Sequence, residues 1–141
     1  MDVNKLLKAL DNEKNESLFS FTSKKMREMN KKILKELKLP EEKYLDFLKK
    51  LDNYKYVDEI NELKEGSYIR WINLTNPKKI NLTKGSIVCE TKITDNGIII
   101  VCKGFGFYNN HFQIKMNDCL VFQCLKQDEK VLLNALDYLS K

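Results

Sequence analysis

Between positions 66 and 125 short β-type runs alternate with turn-forming breaks, leaving no stretch long enough for a helix between them. The runs are GSYIRWINLT, KINLTKGSIVCETKIT, GIIIVCKGF, HFQIKM and NDCLVFQCL, dense in Ile, Val, Phe, Tyr, Trp and Thr. The breaks are Asn-Pro, Asp-Asn-Gly and Asn-Asn. About five antiparallel strands are predicted. Ile72-Asn73-Leu74-Thr75 recurs as Ile80-Asn81-Leu82-Thr83 around Pro77, which predicts a hairpin pairing the two copies. Asn96-Gly97 predicts a type I′ turn, because both central residues tolerate positive φ. Positions 98–102 are apolar throughout and predict a strand covered on both faces. Phe112, Ile114 and Met116 alternate with His111, Gln113 and Lys115, the pattern of a strand with one wet face, and Asn117-Asp118 predicts the turn after it.

The flanking sequence has a helical period. Leu6, Leu7 and Leu10 suggest a short helix over residues 1–10. Thr22 or Ser23 can cap a second helix running to about Leu37, with Met26, Met29, Ile33, Leu34 and Leu37 as its apolar stripe. Pro40, Glu41 and Glu42 open a third, with the stripe Tyr44, Leu45, Leu48 and Leu51. Val57, Ile60 and Leu63, three apart, suggest a helical turn. Leu132, Ala135, Leu136 and Leu139 mark a helix over about 127–139, expected to cover an open side of the sheet. The prediction is an α+β protein: an N-terminal helical hairpin, a small SH3-like antiparallel β-barrel and a C-terminal helix. Residues 1–55 would form the helical region, and 66–141 the barrel with its helix.

Composition adds one feature. The chain of 141 residues carries a formal charge of +5, and residues 22–38 hold seven basic side chains against two acidic ones. That segment accounts for the whole excess, which points to an anionic partner. Lys24, Lys25, Arg27, Lys31, Lys32 and Lys35 are the candidate phosphate contacts, unless they are simply the solvated face of an amphipathic helix. Arg27 and Asn30 are the only base-reading residue types on this helix, which argues against sequence-specific reading in a DNA groove.

Other chemistries find little support. Cys89, Cys102, Cys119 and Cys124 form no C-x2-C pair and His111 is the only histidine, so no metal or cofactor is expected and the cysteines read as buried free thiols. His111 lies on a predicted outward face, and Glu90, Asp95 and Asp118 fall in or beside turns without a pairing pattern. An enzyme is therefore not expected. No apolar run reaches the ~18 residues of a membrane span, and the opening Met1-Asp2-Val3-Asn4-Lys5 lacks a signal peptide's basic start. The expected setting is intracellular, cytoplasmic or virion-associated, and not secreted.

Tyr68 and Trp71, with Phe105, Phe107 and Tyr108, are candidates for an aromatic binding surface, although Trp71 also suits a core anchor. Lys103-Gly104-Phe105-Gly106-Phe107-Tyr108 resembles the RNP1 signature of RNA recognition motifs, with positions 69–74 as its companion strand. That family implies single-stranded RNA stacked on sheet aromatics. The sequence departs from it at Tyr108 and Asn110, at Arg70 in place of an aromatic, and in lacking room for a helix between Leu74 and Ile87. The broader pattern GSYIRWINL, GIIIVCKG and FQIKMNDCLVFQCL resembles small SH3-like-barrel proteins of large AT-rich DNA viruses, a likeness that implies a fold and no activity.

Taken together, the expectation is a non-catalytic binding protein whose basic helix contacts nucleic acid or another polyanion. A protein–protein adaptor or virion-structural component is the alternative, and an RNA-recognition-motif-like binder the second.

Overall fold

The computed structural model describes residues 23–104 and 110–139. The suggested helix over residues 1–10 lies outside them. The architecture is α+β: helices α1 (Ser23–Lys35) and α2 (Glu41–Lys50), strands β1 (Tyr54–Val57), β2 (Tyr68–Asn73), β3 (Ser86–Thr94), β4 (Gly97–Lys103), β5 (His111–Lys115) and β6 (Cys119–Cys124), then helix α3 (Gln127–Leu139). Short 3-10 turns occupy Ile60–Glu62 and Met116–Asp118. The chain divides into two compact units, residues 1–55 with 125–141 and residues 56–124.

In the helical unit, α1 buries Met26, Asn30 and Leu34, one side chain per turn. The Ser23 amide donates to Asp137 Oδ1 of α3 at 2.8 Å, so a carboxylate 114 residues away satisfies an orphan N–H at the positive end of the helix. α1 ends two residues earlier than the pattern suggests, because Lys38 takes φ +53 and the amides of Leu37 and Lys38 turn back to the carbonyls three residues before. Pro40 caps α2 and is not its first residue; its carbonyl accepts the Tyr44 amide at 2.9 Å. The stripe of α2 also differs from expectation: Phe47 is buried at 4 %, while Leu45 is 54 % exposed. Tyr44, Phe47, Leu48 and Leu51 share one helical face, and Leu45 falls off its edge. Within α3, Leu132, Leu133 and Ala135 are buried and Leu139 is exposed, so Leu133 takes the place assigned to Leu139. Glu129 Oε1 accepts the Lys126 amide at 3.0 Å, capping that helix from its third position. Met26, Leu125 and Leu133 form a shared core cluster.

The second unit is built on an antiparallel sheet of order β1-β6-β2-β3-β4-β5. It has six strands where five were expected, and β1 and β5 end the order, so the sheet is open and the predicted closed barrel is not formed. β2 pairs with β6 over its length, from Ile69↔Gln123 to Asn73↔Cys119, but with β3 only at Tyr68↔Ile87 and Ile69↔Ser86. The two tetrapeptide copies do not pair as a hairpin; one bridge, Ile72↔Leu82, joins them. Side-chain hydrogen bonding explains the departure. Asn73 Oδ1 accepts both the Thr75 amide (2.8 Å) and its hydroxyl (2.6 Å), folding the backbone away from the ladder. The turn at Pro77 does form, closed by Lys79 N–H to the Asn76 carbonyl at 3.0 Å.

The β3–β4 hairpin turns one residue earlier than predicted. Thr94 pairs with Gly97, Gly97 takes φ +113, and neither Asp95 nor Asn96 has positive φ, so this is no type I′ turn. The Thr94 hydroxyl accepts the Asn96 amide and donates to the Gly97 carbonyl, which favours a turn ending on glycine. A register shift between Val88 and Glu90 leaves Cys89 as the bulged residue of β3. The core of the sheet unit is Val57, Ile69, Trp71, Val88, Ile100, Cys102, Met116 and Val121.

Candidate nucleic-acid interface

The buried residues Met26, Asn30 and Leu34 mark one side of α1, and Lys24, Lys25, Arg27, Lys31, Lys32 and Lys35 are all exposed. At ~100° per residue the six cations cover roughly 160° of arc, its centre about 140° around the helix from that buried line. Arg27 Nε lies 3.8 Å from Asp52 Oδ1, with both side chains about three-fifths exposed, a pair worth little in water. Among the described residues no ion pair involves Lys24, Lys31, Lys32 or Lys35. No acidic residue lies in the first turn of α1, and Lys32 and Lys35 close its last. The helix thus presents a surplus of positive charge, with the exposed Glu28 the one acidic side chain inside that arc.

Beside this face, α1 and α2 enclose a cleft of about 310 Å³. Arg27, Asn30 and Lys31 line it from α1; Leu48, Lys49, Leu51 and Asp52 line it from α2 and the turn that follows. Asn30 is 3 % exposed and donates from Nδ2 to the Tyr54 carbonyl at 2.9 Å. Its buried Oδ1 has no hydrogen-bond partner among the described residues. Such burial removes Asn30 from any base-reading role on the exposed face of α1.

Of the aromatic candidates, only Tyr68 and Trp71 are among the described residues, and neither is fully exposed. Trp71 is 9 % exposed and belongs to the sheet core, its ring tilted against Phe112 at a centroid distance of 5.9 Å. Tyr68 is half-buried, and its hydroxyl donates to the Lys84 carbonyl at 2.5 Å. Phe105, Phe107 and Tyr108 lie outside the described residues. The RNA-recognition-motif order is absent: residues 74–86 contain no helix, and β3 lies between the strands that would carry the two signatures.

For the remaining chemistry, His111 is exposed on the terminal strand β5, and Glu90 lies 3.9 Å from Lys92. No cluster of three His, Cys, Asp or Glu among the described residues could hold a metal ion. None of the four cysteines forms a disulfide, and only Cys102 is fully buried. Burial pushes the Cys102 thiol from 9.0 up to about 11, reinforced by Cys89 and Cys119. Burial likewise raises Cys119 to about 11, with Asp118 adding to it. Both thiols stay protonated at neutral pH, a poor state for nucleophilic work. Because the folded chain holds these protons more tightly than the unfolded one, their contribution is complete below pH 9 and is lost as pH climbs toward 11. Urea midpoints should therefore fall between pH 9 and 11 in the parent protein and fall less in Cys102→Ser/Cys119→Ser; equal slopes would refute the assignment.

No protein-family model, no curated protein and no solved structure matches this chain. Among the described residues no helix is long and apolar enough to cross a membrane. Geometry and electrostatics therefore carry the functional argument alone. The sequence pattern had marked all six cations of α1, but it gave no sign that Lys49, from another helix, stands across a cleft from them.

Proposed function

We propose that this protein is a non-catalytic nucleic-acid-binding protein, with the outward face of α1 contacting the phosphate backbone. The observation that supports this reading is the simultaneous exposure of Lys24, Lys25, Arg27, Lys31, Lys32 and Lys35 on one side of the helix, with no ion pair among the described residues at Lys24, Lys31, Lys32 or Lys35. Phosphate contacts from such a face supply affinity and register but not sequence preference. The thiols, none of them in a disulfide, suit a reducing, intracellular setting.

Salt tests the reading. Neutralising about six phosphates releases counterions, so the affinity for a labelled oligonucleotide should fall about a thousandfold between 50 and 200 mM salt. A partner protein held by apolar contacts would respond far less. Absence of oligonucleotide binding at 50 mM salt would overturn the proposal and favour an adaptor or virion-structural role.

A further inference from the structure

We propose that this protein self-associates by strand addition, the outer edge of β5 pairing antiparallel with β5 of a second copy around Gln113. The inference is independent of the reading of α1, since β5 and α1 belong to different compact units. It starts from the open sheet. β5 ends the strand order, and among the described residues no strand lies beyond it. Every side chain of β5 is exposed except Ile114, which is half-buried. One bond fixes the phase of the ladder: the Gly104 amide donates to the Asn110 carbonyl at 2.9 Å, so residues 110, 112 and 114 bond toward β4. Bonded positions alternate along an antiparallel strand, so the backbone groups of His111 and Gln113 and the Lys115 amide point outward. The Lys115 carbonyl does not join them, because Lys115 caps the 3-10 turn at Met116–Asp118.

The strand's own pattern selects a second copy as the occupant. Phe112 and Ile114 share the core face of β5, and Phe112 packs on Trp71 yet stays 37 % exposed. About a two-fold axis at Gln113, Phe112 lies opposite Ile114 of the second copy, so each exposed ring gains an aliphatic neighbour. These are non-hydrogen-bonded pairs, whose side chains stand closest across a ladder. On the wet face His111 falls opposite Lys115 of the second copy, and the two lysines are kept apart. A parallel pairing would instead set Lys115 beside Lys115. The antiparallel register uses the whole strand and makes about four backbone hydrogen bonds, two between the Gln113 residues and one from each Lys115 amide to a His111 carbonyl. Each copy spends its β5 edge, so association closes at two and does not propagate. A contact one short strand long is small for a stable dimer, and its dissociation constant should be on the order of 100 µM.

Sedimentation equilibrium and NMR amide exchange on the full chain test this. Between about 10 and 500 µM the average mass should rise from that of one chain toward that of two. Over the same range the Gln113 and Lys115 amides should gain protection, while those of Phe112 and Ile114, bonded to β4 throughout, stay constant. Gln113→Pro should keep the chain monomeric across the range, because that N–H bonds nothing in β4 and an edge strand tolerates proline where the N–H faces outward. Gln113→Lys sets two lysines face to face at the axis and should weaken association about fivefold, a result that stands even if the proline variant does not fold. A chain still monomeric at about 500 µM would overturn the proposal, since even a weak dimer is half-formed there. So would association that Gln113→Lys leaves unchanged, which would place the contact on another face. Protection of the Gln113 amide without any rise in mass would also overturn it, by showing that the edge is covered from within one chain.

Discussion

Replacing Lys24, Lys25, Lys31 and Lys32 together by glutamate will abolish oligonucleotide retention and leave the helical content unchanged. Each exchange removes one positive charge and adds one negative, so four of them turn a net +5 into a net −3. The loss should reach at least about a thousandfold at 50 mM salt, since every removed cation no longer displaces a counterion and every glutamate repels a phosphate. The helix should survive. All four side chains are exposed, and the packing of α1 rests on Met26, Asn30 and Leu34. Glutamates at positions 24 and 25 lie at the positive end of the helix dipole, where they stabilise by about 0.3–1 kcal/mol each, roughly offsetting the less favourable pair near the other end. Lys78→Glu/Lys79→Glu, in the exposed turn after Pro77, provides a charge-reversal control away from α1, taking the net charge from +5 to +1. Fluorescence anisotropy and circular dichroism on both variants decide the matter. Retention that survives the quadruple exchange, or that the control abolishes equally, would remove α1 from the interface.

Gly85→Ala is expected to destabilise the protein by about 3 kcal/mol, a large share of the ~5–15 kcal/mol that holds a domain folded. Gly85 has φ +101, and a Cβ there would sit 2.5 Å from the Ile69 carbonyl oxygen and 2.6 Å from the Tyr68 ring. Neither neighbour yields easily. The Ile69 carbonyl belongs to β2, and the Tyr68 hydroxyl is tied to the Lys84 carbonyl at 2.5 Å. Thr83 fastens the same segment to β2: its amide donates to the Trp71 carbonyl at 3.0 Å, and its hydroxyl accepts the Trp71 amide at 3.1 Å. Gly66→Ala isolates the conformational part. Gly66 has φ +82 with nothing within 4 Å of an added Cβ, so it should cost only the left-handed strain of about 1–2 kcal/mol. In urea, the Gly85 variant should lose about 1–2 M of midpoint, clearly more than the Gly66 variant. Equal losses would mean that the chain does not pass so tightly against Tyr68.

The distribution of β-prone runs and breaks suffices to locate β2 to β6, because strand content and turn residues act locally. β1 escapes this reading. Four residues are too short to show a period, and Tyr54–Val57 becomes a strand only by lying beside β6. Helix existence is equally legible, yet helix rotation is not. Leu45 and Phe47 both fit an amphipathic reading of α2, and so do Leu133 and Leu139 for α3; which one is buried depends on where the neighbouring helices stand. Turn chemistry shows the same division: Asn-Gly signals a hairpin, but the Thr94 hydroxyl moves the turn back by one residue.

For the candidate site, charge and period alone determine that six cations share one face of α1 opposite an apolar stripe, because helical geometry relates positions a few residues apart. Tertiary structure alone decides that Trp71 is core, that the sheet stays open, and that Asn30 is buried beside Lys49 with one acceptor unspent. These depend on groups distant in sequence meeting in space. Asn30 is held by the carbonyl of Tyr54, 24 residues on, and Ser23 by Asp137, 114 residues on. No local pattern encodes such partners, since the free energy that selects them arises only when the packed elements exclude water together.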